Sequence, residues 1–289
     1  MLLKILFGIL LLPSVCFAEE GFHSSKEGLP PAVQAAWDST FLVAPMTKGD
    51  IGTAFVVHSE RVADGKLNLF LLTANHVIQG SCGKKLGICK NIEISDGGIN
   101  SGTLADIDFT HTTARAIGAE VVRRSEYPDL ALLKLTVANT PLWNRKPIPL
   151  IKSCAYLAGE AVFLIGYPWA PDRTARNAKP IEDKKIVKRR WSKGIFVGDF
   201  RGPVKADGNR KYWTGNTADS LDGNSGGPAL NAQGQVIGVL DAAGDTAHEK
   251  DGYPYLGDDF TQKPHSFLQH CEYLDDFVHF RPLSFVPQE

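Results

Sequence analysis

Two small β-barrels or sheets in succession, followed by a short C-terminal helix, are what this 289-residue chain predicts. Three observations carry the prediction. The apolar residues fall in many short runs rather than in long helical periods. Its 28 glycines and 17 prolines lie largely between those runs, where turns need them. A Pro/Asn-rich stretch, ANTPLWNRKPIPL, divides the runs into two groups. With 43% hydrophobic residues the chain can fill a sizeable core. A net charge of -1 gives no bulk attraction to nucleic acid or to an acidic membrane.

The first element is not part of the fold. Residues 1–18 read as a signal peptide, with Lys4 as its positive start and the apolar run Ile5 to Leu12 too short to span a bilayer. Cys16 and Ala18 place small residues before a cut that leaves Glu19 first, and Val15 fits a lipoprotein signal poorly. The alternative is a short membrane anchor. Export, to the periplasm or the medium, puts the four remaining cysteines in an oxidising compartment. Four allow three pairings. Cys82 and Cys89 flank the short SCGKKLGIC segment and are expected to bridge, leaving Cys154 for Cys271.

PPAVQAAWD is a candidate short helix. TAFVVHSERV and KLNLFLLTA follow as strands around Ala-Asp-Gly, a hairpin signal. ARAIGAEVVRRS and LALLKLTV complete the first group. After the linker come AVFLIGYP, KGIFVGDF and the pair GPALN and QVIGVLD. The basic stretch from Asp172 to Lys193 reads as a solvated loop. The tail HSFLQHCEYLDDFVHF puts Phe267, Leu268, Cys271, Leu274, Phe277 and Val278 on one helical face, expected to close the second barrel. A partner-binding helix is the alternative there.

The chemistry concentrates in DGNSGGPAL. Gly223, Gly226, Gly227 and Pro228 around Ser225 describe a tight turn with one prominent hydroxyl. A serine nucleophile needs a base and a group to orient it. His76 ends the apolar segment FLLTANHVI, and Asp129 opens the apolar run PDLALLKL. Taken singly, each is better read as structural: a satisfied core histidine and a strand-start turn residue. Taken in the order His, Asp, Ser, with IGTAFVV, VFLIGYP and GQVIGVL in sequence around them, they resemble the chymotrypsin/trypsin-like serine peptidases from about residue 51 to 240.

That resemblance implies two six-stranded β-barrels with the active site in the cleft between them. It implies Ser225 as nucleophile, His76 as general base and Asp129 as the group that holds the imidazole. The N–H groups of Gly223 and Ser225 would form the oxyanion hole, and no cofactor or metal is required. The resulting division is a signal peptide, 1–18, then one peptidase domain, 19–289, with barrels at about 40–140 and about 155–245 and a closing tail, 246–289. Protein or peptide substrates are the implied partners, with no membrane span after signal removal. An α/β-hydrolase elbow also fits G-x-S-x-G, but it needs a helix after the serine, and Gly226-Gly227-Pro228 opposes one. No H-E-x-x-H or comparable ligand set supports a metal-dependent hydrolase. A catalytically silent binding or scaffold protein of the same fold is the remaining alternative.

Departures from the family pattern are informative. Asn224 stands where the animal digestive branch has an acidic residue that pairs with a freshly cut amino terminus. No Ile-Val-Gly-Gly-like start is present, so the site is expected to form without zymogen cleavage. Asn224 resembles the high-temperature-requirement and glutamyl endopeptidase branches, though too few residues follow Gly244 for a PDZ domain plus the closing helix. Asp219, six residues before Ser225, is where trypsin keeps the carboxylate that binds Lys or Arg. Asp241 falls where the substrate-pocket wall should run, as a second negative charge or a strand cap.

Overall fold

Turn chemistry sets the first hairpin. Asp64 (φ 61°) and Gly65 (φ 65°) both adopt left-handed backbone, reversing the chain between two apolar runs. The computed structural model describes residues 21–45, 51–80, 82, 92–95, 99–100, 117–141, 143–168, 186–204, 210–243 and 266–280. In chain order its elements are α1 (Pro31–Asp38), β1 (Thr40–Pro45), β2 (Gly52–Arg61), β3 (Lys66–Thr73), α2 (Asn75–Gln79), β4 (Ile92–Ser95), β5 (Ile99–Asn100), β6 (Ile117–Gly118), β7 (Glu120–Glu126), β8 (Asp129–Ala138), β9 (Ala161–Gly166), β10 (Ile186–Val187), β11 (Arg190–Val204), β12 (Arg210–Asn216), β13 (Pro228–Leu230), β14 (Val236–Ala243), β15 (Ser266–His270) and α3 (Cys271–Val278). No helix among the described residues is long and apolar enough to cross a membrane.

The first unit is a seven-stranded sheet in the order β6-β4-β1-β2-β3-β8-β7. Its two edges, β6 and β7, are separated in the chain by Ala119 alone, whose N–H bonds to Ile92 O at 2.9 Å. One kinked run therefore pairs with β4 at one end and β8 at the other. Counted once, that run leaves six strands wrapped into a cylinder. The second unit is a closed barrel, β11-β12-β15-β14-β13-β9. Together they give the all-β double-barrel architecture that the sequence predicts.

The tail departs from the single helix expected there. Phe267 and Leu268 lie in β15, between β12 and β14, and only the residues from Cys271 onward are helical. Every residue of β15 is buried, so its apolar content carries no period by which to tell strand from helix. The helix starts where His270 caps it, its imidazole accepting the Glu272 N–H at 3.4 Å. The barrel thus takes a strand from the segment read as a closing tail.

Leu29, Val33 and Ala36 of the N-terminal segment and α1 pack with Phe55, Leu72, Leu130 and Leu132 of the first unit. The same cluster includes Phe163, Ile165, Leu230 and Val239 of the second barrel and Tyr273, Leu274 and Phe277 of α3. Each Val, Leu, Ile or Phe among them contributes about 1.5–3 kcal/mol on burial, so this shared core fixes how the units face one another. The linker is held to both: Ile148 N–H donates to Val56 O at 2.8 Å and Ile151 N–H to Val236 O at 3.0 Å. Residues 1–18, Cys89 and 172–185 of the basic stretch lie outside the described residues. The end of that stretch is ordered rather than a solvated loop. Arg190 is buried at the start of β11, and Arg189 Nε donates to Tyr167 OH at 3.0 Å with its guanidinium 5.4 Å from the Trp37 ring.

Candidate active site

His76 and Asp129 meet because of register. β3 and β8 pair antiparallel with Thr73 opposite Ala131, so the end of one strand lies beside the start of the other. After β3, Ala74 turns the chain into the single turn of α2, and His76 is that helix's second residue. Asp129 follows a turn that contains a cis Tyr127–Pro128 bond. Its Oδ1 accepts the His76 backbone N–H at 2.8 Å, and its Oδ2 lies 2.5 Å from Nδ1 of the ring. Both oxygens hold one residue, which sets the ring's orientation. Burial pushes the Asp129 carboxyl up, but the hydrogen bond and charge of His76 outweigh it, and the carboxyl sits below the ordinary aspartate value.

The turn around Ser225 is bolted to the first unit. Thr53, in β2, donates its hydroxyl to Gly223 O at 2.7 Å and its N–H to Ser225 O at 2.8 Å. Thr73, at the end of β3, donates to Thr53 O at 2.7 Å. From the other side Gly226 N–H reaches Leu240 O at 2.8 Å. Gly223 (φ 87°) and Gly226 (φ 83°) are both left-handed. A Cβ on Gly226 would fall 2.8 Å from Ala74 N and closer still to Thr73 Oγ1 and Thr53 O, so no larger residue fits. Ser225 is half-buried. Neither its hydroxyl nor the N–H groups of Gly223 and Ser225 donate to any group among the described residues.

The two further acids lie apart. Asp219 is buried, and its Oδ2 accepts the N–H of Gly21 at 3.1 Å. That contact belongs to an N-terminal segment laid along β11: His23 and Trp191 exchange backbone hydrogen bonds at 2.8 and 2.9 Å, and their rings stack with centroids 4.1 Å apart. Asp241 is buried beside the His76–Asp129 pair. Its Oδ1 is 4.0 Å from His76 Nδ1, and Trp213 Nε1–H donates to its Oδ2 at 2.8 Å. The sulfurs of Cys154 and Cys271 stand at bonding distance, their Cα atoms 6.0 Å apart. The Cys82–Cys89 pairing lies outside the described residues.

Two groups bring together donor types that bind metals: His76, Asp129 and Asp241, and Cys154, His270 and Cys271. In the first, Nδ1 and both Asp129 oxygens are already engaged with one another. In the second, the two sulfurs face each other. Sequence reasoning missed Thr53 and Thr73, which hold the serine turn, and the contact of Asp241 with the His76 pair. Threonines opening and ending strands carry no distinctive signal. An aspartate closing the apolar run QVIGVLD was visible, but only the barrel's curvature says what it faces.

A family model described as a trypsin-like peptidase domain matches residues 52–239. Over 146 residues the chain is 30% identical to a protein of Staphylococcus haemolyticus named "Serine protease HtrA-like", covering 48% of this chain and 20% of that one. The chain thus spans about a fifth of that relative's length. Among solved structures it is similar to the active form of the Rv3671c protease of M. tuberculosis, with TM-score 0.52 and 17% identity over 90% of this chain and 87% of that chain. It is similar also to the HtrA-type protease AlgW with tripeptide, with TM-score 0.52 and 20% identity over 86% and 64%. At such identities the structural likeness speaks for the fold.

Proposed function

We propose that this chain, a serine peptidase that belongs to the trypsin-like peptidase family, is exported and cleaves internal peptide bonds through Ser225, His76 and Asp129. The observation that carries the reading is the double grip of Asp129 on His76, at 2.8 and 2.5 Å, together with a serine turn held by Thr53 of β2, which Thr73 at the end of β3 holds in turn. As Ser225 Oγ bonds to the substrate carbonyl carbon, its proton passes to His76 Nε2 and the carbonyl oxygen takes the negative charge. The N–H groups of Gly223 and Ser225 are the donors for that oxygen, a role worth about 10²–10³ in turnover per donor. His76 then gives its proton to the leaving amine as the C–N bond breaks. Water, activated by the same base, hydrolyses the acyl-enzyme.

Cleavage after Lys or Arg is assigned to Asp219. A buried carboxylate is the group that would bind a substrate cation, and here it already holds the Gly21 N–H, so a basic side chain must share or displace that contact. The central test is labelling with a fluorophosphonate probe. The native protein reacts at Ser225, and reaction is lost in Ser225→Ala and His76→Ala. An inert native protein would mean a catalytically silent binding protein on this fold. In peptide libraries, Asp219→Ala lowers cleavage after Lys and Arg at least tenfold while labelling of Ser225 changes little. Equal cleavage after basic and apolar residues by the native protein would remove the Asp219 assignment.

A further inference from the structure

The acid beside the His76–Asp129 pair has no place in the scheme above. Asp241 is in β14, its side chain 4% exposed, and the donor atoms of Asp241, Asp129 and His76 all lie within 4.8 Å of one another. Two carboxyl groups that close and that buried do not both ionise, because each charge raises the cost of the other. The negative charge belongs on Asp129, which takes the His76 N–H at 2.8 Å and faces Nδ1 at 2.5 Å. On Asp241 the Trp213 N–H, a neutral donor, reaches Oδ2 at 2.8 Å. Its Oδ1 stands 4.0 Å from His76 Nδ1. Trp213 is fully buried, so the plane of the Asp241 carboxyl is fixed from behind.

We propose that Asp241 is a positioning residue, held as a neutral carboxylic acid whose proton is donated to Asp129. The inference rests on the triad reading given above. A hydrogen bond from Asp241 gives Asp129 a second restraint besides His76, and so restrains the imidazole through it. The shared proton also keeps the pair at one negative charge. A second charge would hold the imidazolium proton too firmly for release to the leaving amine. Among the described residues, His76 on α2 and Asp129 on β8 are titratable groups that face Asp241.

The test uses the full chain and compares native protein with Asp241→Ala and Asp241→Asn. Readouts are the rate of fluorophosphonate labelling at Ser225, kcat and KM on one peptide, and their pH profiles. An asparagine can donate to Asp129 and accept from Trp213, but has no proton to lose. Asp241→Ala is expected to label at least tenfold more slowly and to lose kcat with KM within about twofold. Asp241→Asn is expected to recover at least tenfold of that loss and to lack an alkaline ionisation that the native profile shows. Native labelling rates in Asp241→Ala, or no recovery in Asp241→Asn, overturn the proposal. If Asp241→Ala does not fold, the alkaline limb decides, and a native-like limb in Asp241→Asn overturns it. A native protein that fails to label at Ser225 sinks the triad reading instead, which keeps the two failures apart.

Discussion

The carboxyl group of a residue only 8% exposed should cling to its proton, yet Asp129 sits below the ordinary aspartate value. Burial acts upward, and the His76 hydrogen bond and charge act downward and prevail. The sign of the stability effect follows. The unfolded chain releases this proton near the ordinary aspartate value of 3.8, and the folded chain holds it only at lower pH. Ionised Asp129 therefore contributes stability fully above that value and loses it as pH falls through the lower folded value. Urea unfolding between pH 6 and pH 2 should show native stability declining in that acid window, with a shallower decline in Asp129→Asn. Equal slopes would show that the carboxylate gains nothing from its partner. The same substitution should lower kcat by about 10⁴-fold if the proposed role is right, because an amide selects the wrong imidazole tautomer.

Elements were legible where pattern and turn chemistry agreed. KLNLFLLTA, LALLKLTV, AVFLIGYP and QVIGVLD are strands within a residue or two of their apolar runs, as β3, β8, β9 and β14. The helix at PPAVQAAWD is α1, with its prolines at the start, where a missing N–H costs nothing. Three kinds of element escaped. β1 is short and nearly all buried, with β2 on one side and β4 on the other, so it lacks alternation. β12, RKYWTGN, begins with two charges and ends in Gly-Asn, and its place comes from pairing with β11 and β15 rather than from propensity. β15 was absorbed into a helix because buried strands and helices share apolar content. The candidate site was legible for a different reason. His76, Asp129 and Ser225 each sit at a strand end or a glycine turn, places where a polar residue interrupts an apolar run. The side chain of Asp241 does the same, but its neighbours come from α2, β8 and β12, which no local pattern joins.

At the scale of the molecule, the proposed chemistry depends on two units keeping one relative placement. His76 and Asp129 belong to the first, Ser225 to the second, and Thr53 spans the gap with two hydrogen bonds. Helix α3 leans on both. Arg123 of β7 donates to Phe277 O at 2.7 Å and lies 4.6 Å from its ring, and Tyr127 OH meets Tyr273 OH at 3.0 Å. Cys271 is the first residue of that helix, and Cys154 follows the linker between the units, so a bond between them ties the helix to the junction. The two are 117 residues apart, and a crosslink over so long a loop restricts the unfolded chain strongly, by about 4–5 kcal/mol on the loop-entropy model, with about 2–4 kcal/mol typical. The double variant Cys154→Ala/Cys271→Ala should lose stability in that typical range in denaturant titration. It should keep the labelling rate of Ser225 at 25 °C within about threefold, because Thr53, Thr73 and Leu240 hold the serine turn from elsewhere. An unchanged midpoint would show that the two sulfurs are not joined. A labelling rate that collapses while the fold persists would show instead that α3 sets the cleft itself.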